Sequence, residues 1–286
     1  MLVKRILLLF FRDKANVFFS LLAVLIIIGL YVLFLGNMME RDLQAQLGSQ
    51  SDKAGVVMAC IILAGMAAVT SVTSGMGAIG ICVADKQGAA KDFHTSPVSR
   101  GKITFSYIIG TGAVGFIMTG AALALSLAYI AYNGGWIPSA PQDIARLLFA
   151  AALSVLCGNA LVFFISIFIK SQNAFSALST VVGTLIGFLM GIYIPVGSLP
   201  ESVQWAVKCF PMTHAASMFK QVLADGELAA LFSHAPPEAL DGFRKSFGVV
   251  LSYGGFTGGY WFSAAVLAAS TAVFYALSLI FMRKKL

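Results

Sequence analysis

The chain has 286 residues, of which 59% are hydrophobic and only 11% charged, and its mean hydropathy is +0.88. Soluble domains carry roughly a quarter charged residues, so this composition excludes a soluble globular enzyme and indicates an all-α integral membrane protein. The net charge of +7 is a signal of topology rather than of nucleic-acid binding, because of where the cations fall.

Crossing a hydrocarbon core of about 30 Å takes roughly 20 helical residues, and six stretches qualify, at about 15–36, 54–84, 103–132, 144–169, 174–197 and 259–282. The second and third exceed that length and are expected to tilt or project. Basic residues near span ends are retained in the cytoplasm. With the N-terminus inside, the cytoplasmic side holds twelve of the nineteen Lys and Arg but only three of the twelve acids, Asp13, Asp85 and Asp92. Both termini are therefore expected inside a multi-pass protein of the plasma (inner) membrane. Residues 1–286 read as one transmembrane domain, with an interfacial helix at 1–14, a cytoplasmic segment at 85–102 and an external segment at 198–258.

In chain order, MLVKRILLLFFR is too short to span and reads as a helix lying in the interface, its apolar side down and its cations toward anionic headgroups. A basic flank that merely sets topology is the plainer alternative. The chain turns into the bilayer at Arg12-Asp13-Lys14, and the run that follows reads as a span rather than a cleavable signal. Spans two and three carry GMGAIG (Gly75, Gly77, Gly80) and GTGAVG (Gly110, Gly112, Gly115). These match a dinucleotide fingerprint that has meaning only at a strand-to-helix turn of a soluble βαβ unit. Inside membrane helices such glycines let neighbours approach closely.

Asn159 in the fourth span is expected to face another helix, through a hydrogen bond worth about 0.6 kcal/mol, or else a possible substrate path. Gly183, Gly187 and Gly191, spaced by four in the fifth span, would share one helix face for dimerisation or for internal packing. Beyond Pro195, Pro200 and Pro211 divide an apolar stretch containing Trp205 and Phe210 into two short helices. These are expected to dip into the outer leaflet or cap the outer mouth, with a plain interfacial helix pair as the alternative. His214 and His234 read as packing or surface residues, and Cys60, Cys82, Cys157 and Cys209 as small apolar packers without disulfide or zinc spacing.

The segment 85–102, DKQGAAKDFHTSPVSRGK, is a polar, basic island between the two longest spans. Ala89, Ala90 and Phe93 make an apolar patch at helical spacing, with Lys86 and Lys91 at its margins. Ser96 before Pro97 is a helix-start signal, an N-cap followed by proline in the first helical position. No span carries Asp, Glu or Arg near its middle, which disfavours an ion-coupled carrier. Phosphate-loop, HExxH and GxSxG motifs are missing, so no catalytic residue, metal site or cofactor is expected in this chain.

The interfacial helix MLVKRILLLFFRDK, six spans, KQGAAKDFHTSPVSRGKI between spans two and three, and LPESVQWAVKCFPMTHA before the last span together resemble the membrane subunit of type-2 ABC exporters. Members often carry an acidic ERE-type run before the glycine, where this chain has Asp85 followed by Lys86-Gln87. The resemblance implies a half-transporter that pairs with a second copy or a related permease. It would rest on a cytoplasmic ATPase subunit, which holds ATP and Mg, through a coupling helix containing Gly88, Ala89, Ala90, Phe93, Ser96, Pro97 and Arg100. Spans one, two and five would line the dimer interface and substrate path. Charge-free, aromatic-rich spans favour an amphipathic or apolar cargo such as a drug, peptide or lipid-linked molecule. A membrane anchor or sensor without transport is the alternative, and an intramembrane enzyme is disfavoured by the missing catalytic groups.

Overall fold

The computed structural model describes residues 2–30, 53–87, 100–233 and 235–284, and most of them are helical. A first helix, α1 (Leu2–Arg12), is separated from α2 (Lys14–Leu30) by Asp13. The Asp13 carboxylate accepts from the backbone N–H groups of Ala15 and Asn16, both at 3.1 Å. It thus caps α2, an arrangement worth about 1 kcal/mol, and makes the expected corner. The spanning helices continue with α3 (Ala54–Gln87), α4 (Arg100–Tyr132), α5 (Pro141–Ser166) and α6 (Gln172–Leu189). Ser171 caps α6 through the Ala174 N–H at 3.2 Å. The external segment supplies α7 (Glu201–Cys209), α8 (Pro211–Leu231), α9 (Pro237–Ser246) and a two-stranded hairpin, β1 (Leu251–Tyr253) with β2 (Phe256–Gly258). Gly254, at φ +62°, opens the hairpin's two-residue loop. The last helix is α10 (Tyr260–Lys284).

Among the described residues, α3, α4, α5, α6 and α10 are long and apolar enough to cross a membrane. The described part of the first expected span, α2, has 17 residues, and the rest of that span lies outside the described residues. At the centre is α3, which packs against α1, α2, α4, α5, α6 and α8. Its sequence allows this because none of its 34 residues is aromatic and many are Gly or Ala, so neighbouring backbones approach closely.

Two expectations need correction. The fifth span was expected over 174–197, but α6 ends at Leu189, and Gly191 turns the chain with φ +61°. Left-handed backbone at a helix end is the common place for glycine, so Gly191 lies off the helical face that holds Gly183 and Gly187. Only the first of the two Pro-divided helices is short. Pro211 does start α8, following an extended Phe210 (φ −76°, ψ 118°), but α8 runs for 21 residues and is largely buried against α3, α5 and α10. Phe210 and Val72, near the middle of α3, line the same cavity, so the corner between α7 and α8 reaches deep along α3. Cys209 also departs from its expected packing role, being exposed while the other three cysteines are buried.

His214 is a packing residue, 2% exposed, stacked on Tyr253 and hydrogen-bonded to Ser263 and to the Lys208 carbonyl. Lys220 is more unusual, because its side chain is fully buried on α8. It donates to the carbonyls of Gly191 (3.3 Å) and Phe247 (2.9 Å), which end α6 and α9. Helix C-termini carry partial negative charge, so the amine fastens two helix ends to α8. Burial pushes its ionisation down to about 7, whereas an ordinary lysine titrates near 10.4. Between these values the unfolded chain holds a proton that the folded chain lacks, so stability rises with pH across that window. Thermal unfolding of the detergent-solubilised protein is expected to be higher at pH 9 than at pH 6. Lys220→Met should flatten that slope.

Candidate functional site: a clamped carboxylate near the end of α3

Asp85 stands two residues before the end of α3, where the segment expected to couple begins. The α1 helix brings Arg5 to it in a two-pronged ion pair, Nη1 donating to Oδ2 at 2.7 Å and Nη2 to Oδ1 at 2.8 Å. From α4, Tyr107 donates its hydroxyl to Oδ2 at 2.6 Å. One carboxylate therefore ties together α1, the inner end of α3 and the inner part of α4. With Asp85 only 12% exposed, water competes weakly for these bonds, and a bidentate guanidinium–carboxylate pair is among the stronger ones. Arg5 had been expected to face lipid headgroups with the other cations of its helix, and it faces the bundle instead.

What positions Arg5 is the apolar face of α1. Ile6 and Phe10, one turn apart and fully buried, seat on two glycines of the rejected fingerprints. A Cβ on Gly110 would lie 2.7 Å from Ile6 Cδ1 and 3.1 Å from its Cβ, and one on Gly77 would lie 3.1 Å from the Phe10 ring. The glycines thus serve the close helix approach expected of them. Leu8 and Phe11, on the other side of α1, are exposed.

Of the residues expected in the coupling helix, Gly88, Ala89, Ala90, Phe93, Ser96 and Pro97 lie outside the described residues, as does His234, and Arg100 opens α4. Asn159 sits 2% exposed where Gly75, Gly112 and Gly115 converge, and neither amide atom has a hydrogen-bond partner among the described residues. Among the described residues the expected interhelical hydrogen bond is not formed. Gly187 is covered by the Tyr193 ring of its own chain, whereas among the described residues no atom lies within 4 Å of a Cβ at Gly183. Pro200 precedes α7, Trp205 is half-exposed on it, and Phe210 and Pro211 form the corner into α8. The sequence placed Arg5 toward the lipid headgroups and Asp85 as an inner-side acid where relatives carry an ERE-type run, and nothing in it pointed to Tyr107. The available signal was Asp85 itself, a lone acid between a long apolar run and a basic island.

The fold and this carboxylate define the class, a multi-pass helical membrane protein whose two longest spans are tied to each other and to α1 at one end. The chain matches the family model for the ABC-2 type transporter over residues 1–224, and it belongs to that family. Members are membrane components of ABC transporters, work with an ATP-binding subunit and are not themselves the catalytic part. No curated protein matches the chain.

Asp85→Asn should lower stability by about 1–3 kcal/mol, because it leaves a half-buried guanidinium without its carboxylate. Tyr107→Phe should cost less, about 1 kcal/mol. Thermal unfolding in detergent reads both, and the exchange Arg5→Asp with Asp85→Arg should recover part of the loss. Gly110→Val should force α1 off α4 at a cost of about 1–3 kcal/mol. The control Gly120→Val, on the same helix with no atom within 4 Å of the new Cβ, should leave the unfolding midpoint unchanged.

Proposed function

We propose that this chain is the membrane-spanning half of an ATP-driven exporter in the plasma membrane. Two copies, or this chain and a related permease, pair and move an amphipathic or apolar cargo outward. Each rests on a separate cytoplasmic subunit that binds ATP and magnesium. The observation that carries this reading is the clamp at Asp85, found in a chain of the ABC-2 family. A segment that receives force from a soluble partner needs a root that does not yield, and Arg5 and Tyr107 supply one where that segment leaves α3.

On this reading Gly88, Ala89, Ala90 and Phe93 dock in the ATPase, and Ser96-Pro97 turns the chain toward Arg100 and α4. Pairing uses the outward face of α6, where among the described residues no atom lies within 4 Å of a Cβ at Gly183, and Thr180 and Thr184 are exposed. Small residues on a membrane helix permit close approach of another helix. Both termini are cytoplasmic, and α7 to α9 with the hairpin form the external end.

The test is co-expression with candidate ATPase subunits, followed by purification and reconstitution of the complex. A stoichiometric ATPase, ATP turnover and outward movement of an apolar reporter are expected. Phe93→Asp and Gly88→Pro should each lower transport at least tenfold while membrane insertion and ATPase abundance stay unchanged. Transport by the chain alone, or unaltered transport in both variants, would reject the proposal.

A further inference from the structure

Asn159 on α5 and Thr119 on α4 share an anomaly. They are 2% and 0% exposed, and among the described residues neither the two amide atoms of Asn159 nor the Thr119 hydroxyl has a hydrogen-bond partner. Buried polar groups are nearly always bonded, so two orphans on neighbouring helices require a cause. The glycine faces beside Asn159 are filled by protein rather than open to a ligand. A Cβ on Gly75 would stand 2.5 Å from Asn159 Oδ1, and one on Gly115 would stand 2.8 Å from Val155.

The contacts fix how the three helices run. The hydroxyls of Ser71 and Ser154 are 2.7 Å apart, and Gly75 meets Asn159, so α3 and α5 are parallel. α4 runs the opposite way, with Gly112 and Gly115 beside Asn159 and Val155 seated on Gly115. A slide of α5 by one turn, about 5.4 Å, toward the Ala54 end of α3 carries Asn159 from Gly75 to Ser71. The same slide carries it along α4 from Gly112 and Gly115 to the turn that ends in Thr119. A slide the other way brings it to Ile79 and Ile108, which offer its amide nothing. Cβ atoms lean toward the N-terminus of their own helix, so Asn159 and Thr119 lean toward each other.

The seam permits this motion. Ala67, Ser71 and Gly75 on α3 face Ala150, Ser154 and Gly158 on α5, each set spaced by four along one helix face. Side chains this small form shallow ridges and set the register of two helices weakly. The connections at both ends of α5, residues 133–140 and 167–171, lie outside the helices. Tyr107 and Asp85 tie α4 to α3, so those two helices act as one body against which α5 moves. One-turn ratchets of one packed element past another are an established kind of two-state transition.

We propose that α5 occupies two registers against α3 and α4, one helical turn apart: the one described, with Val155 seated on Gly115, and a second in which Asn159 bridges Ser71 and Thr119. The first keeps the packing of Val155 and leaves three polar atoms unbonded. The second bonds those atoms and gives up the seat. Ser154, released from Ser71, turns to a carbonyl of its own helix, as Thr70 and Ser74 do on α3. Each register gains what the other loses, which is the condition for a two-state element. The device belongs to the chain itself and holds whether or not the chain exports cargo.

The experiment measures spin-label distances in the full chain, reconstituted in lipid vesicles without any ATPase. Labels are carried by Leu148→Cys on α5 and Phe105→Cys on α4, both positions exposed. Exposed Cys209 is removed as Cys209→Ser, and Cys60, Cys82 and Cys157 are buried away from the reagent. Labelled chain is diluted about tenfold with unlabelled chain, so that only distances within one chain are read. Leu148 lies about three turns from Asn159 on the Ala54 side and Phe105 about two turns from Gly112 on the other, so the slide lengthens their separation by about 4 Å. Two populations differing by that amount are expected. Gly75→Ala, whose Cβ collides with Asn159 in the first register, should raise the share of the longer distance at least threefold. Asn159→Ala should lower that share at least threefold. Thr119→Val, which removes a partner from the second register and no hydrogen bond from the first, should do the same. Circular dichroism and gel filtration report folding of each variant. A single distance in the chain with Asn159 and Thr119 intact overturns the proposal, as do two populations whose proportions Asn159→Ala and Thr119→Val leave unchanged. None of these readings involves ATP or transport, so failure here is distinct from failure of the exporter reading.

Discussion

Six helices press on α3, and that crowding is the constraint on which the rest of the structure depends. At the overall aromatic content of 12%, a stretch of 34 residues would hold about four aromatic side chains, and α3 holds none. Its glycines take the side chains of its neighbours instead. Ile192 lies over Gly65, Asn159 over Gly75, Phe10 over Gly77 and Phe175 over Gly80. Four surrounding segments are thereby indexed along one helix at successive depths. Protein interiors of this density deform little, so α3 behaves as a rod whose inner end carries Asp85 and whose outer half lies under Ile192 and Lys220.

Hydropathy and punctuation made the skeleton of this fold legible. The apolar runs gave α3, α4, α5 and α10 to within a few residues, Asp13 marked the corner after α1, and Pro211 marked the start of α8. Where hydropathy alone was followed, it overran. The run Met190-Gly191-Ile192-Tyr193-Ile194 is as apolar as the helix before it, and the backbone turns there because Gly191 adopts φ +61°, a property of conformation rather than of polarity. The GxxxG pattern failed for the same reason, since a face shared by residues four apart exists only while the helix continues.

Contacts across space were legible only as residue types. Nothing local to Arg5 distinguishes it from Lys4, and the difference comes from Ile6 and Phe10, which fix the rotation of α1 on Gly110 and Gly77. Lys220 looks like an ordinary external lysine until its amine is seen on the carbonyls of Gly191 and Phe247. Asn159 was legible as a polar residue that required an explanation. Its position among three glycines shows that the helices close around its volume without satisfying its amide, which costs free energy. Small residues that permit close packing do not by themselves supply hydrogen-bond partners.

The contrast between α3 and α6 has a mechanical consequence. α3 is held on all sides, whereas α6 is fastened mainly at its ends. Phe175 seats on Gly80 near its inner end, Thr213 donates to the Leu189 carbonyl at 2.8 Å, and Lys220 donates to Gly191 just beyond. Between those fastenings the middle of α6 borders the apolar cavity that Val72 and Phe210 also line, and among the described residues no atom lies within 4 Å of a Cβ at Gly183. A helix held this way bends more readily at its middle than at its ends, because the free-energy cost of displacement follows the contacts that must be broken. On the proposed exporter reading, α3 carries motion from the coupling segment to the outer end without absorbing it, and α6 is the helix that yields.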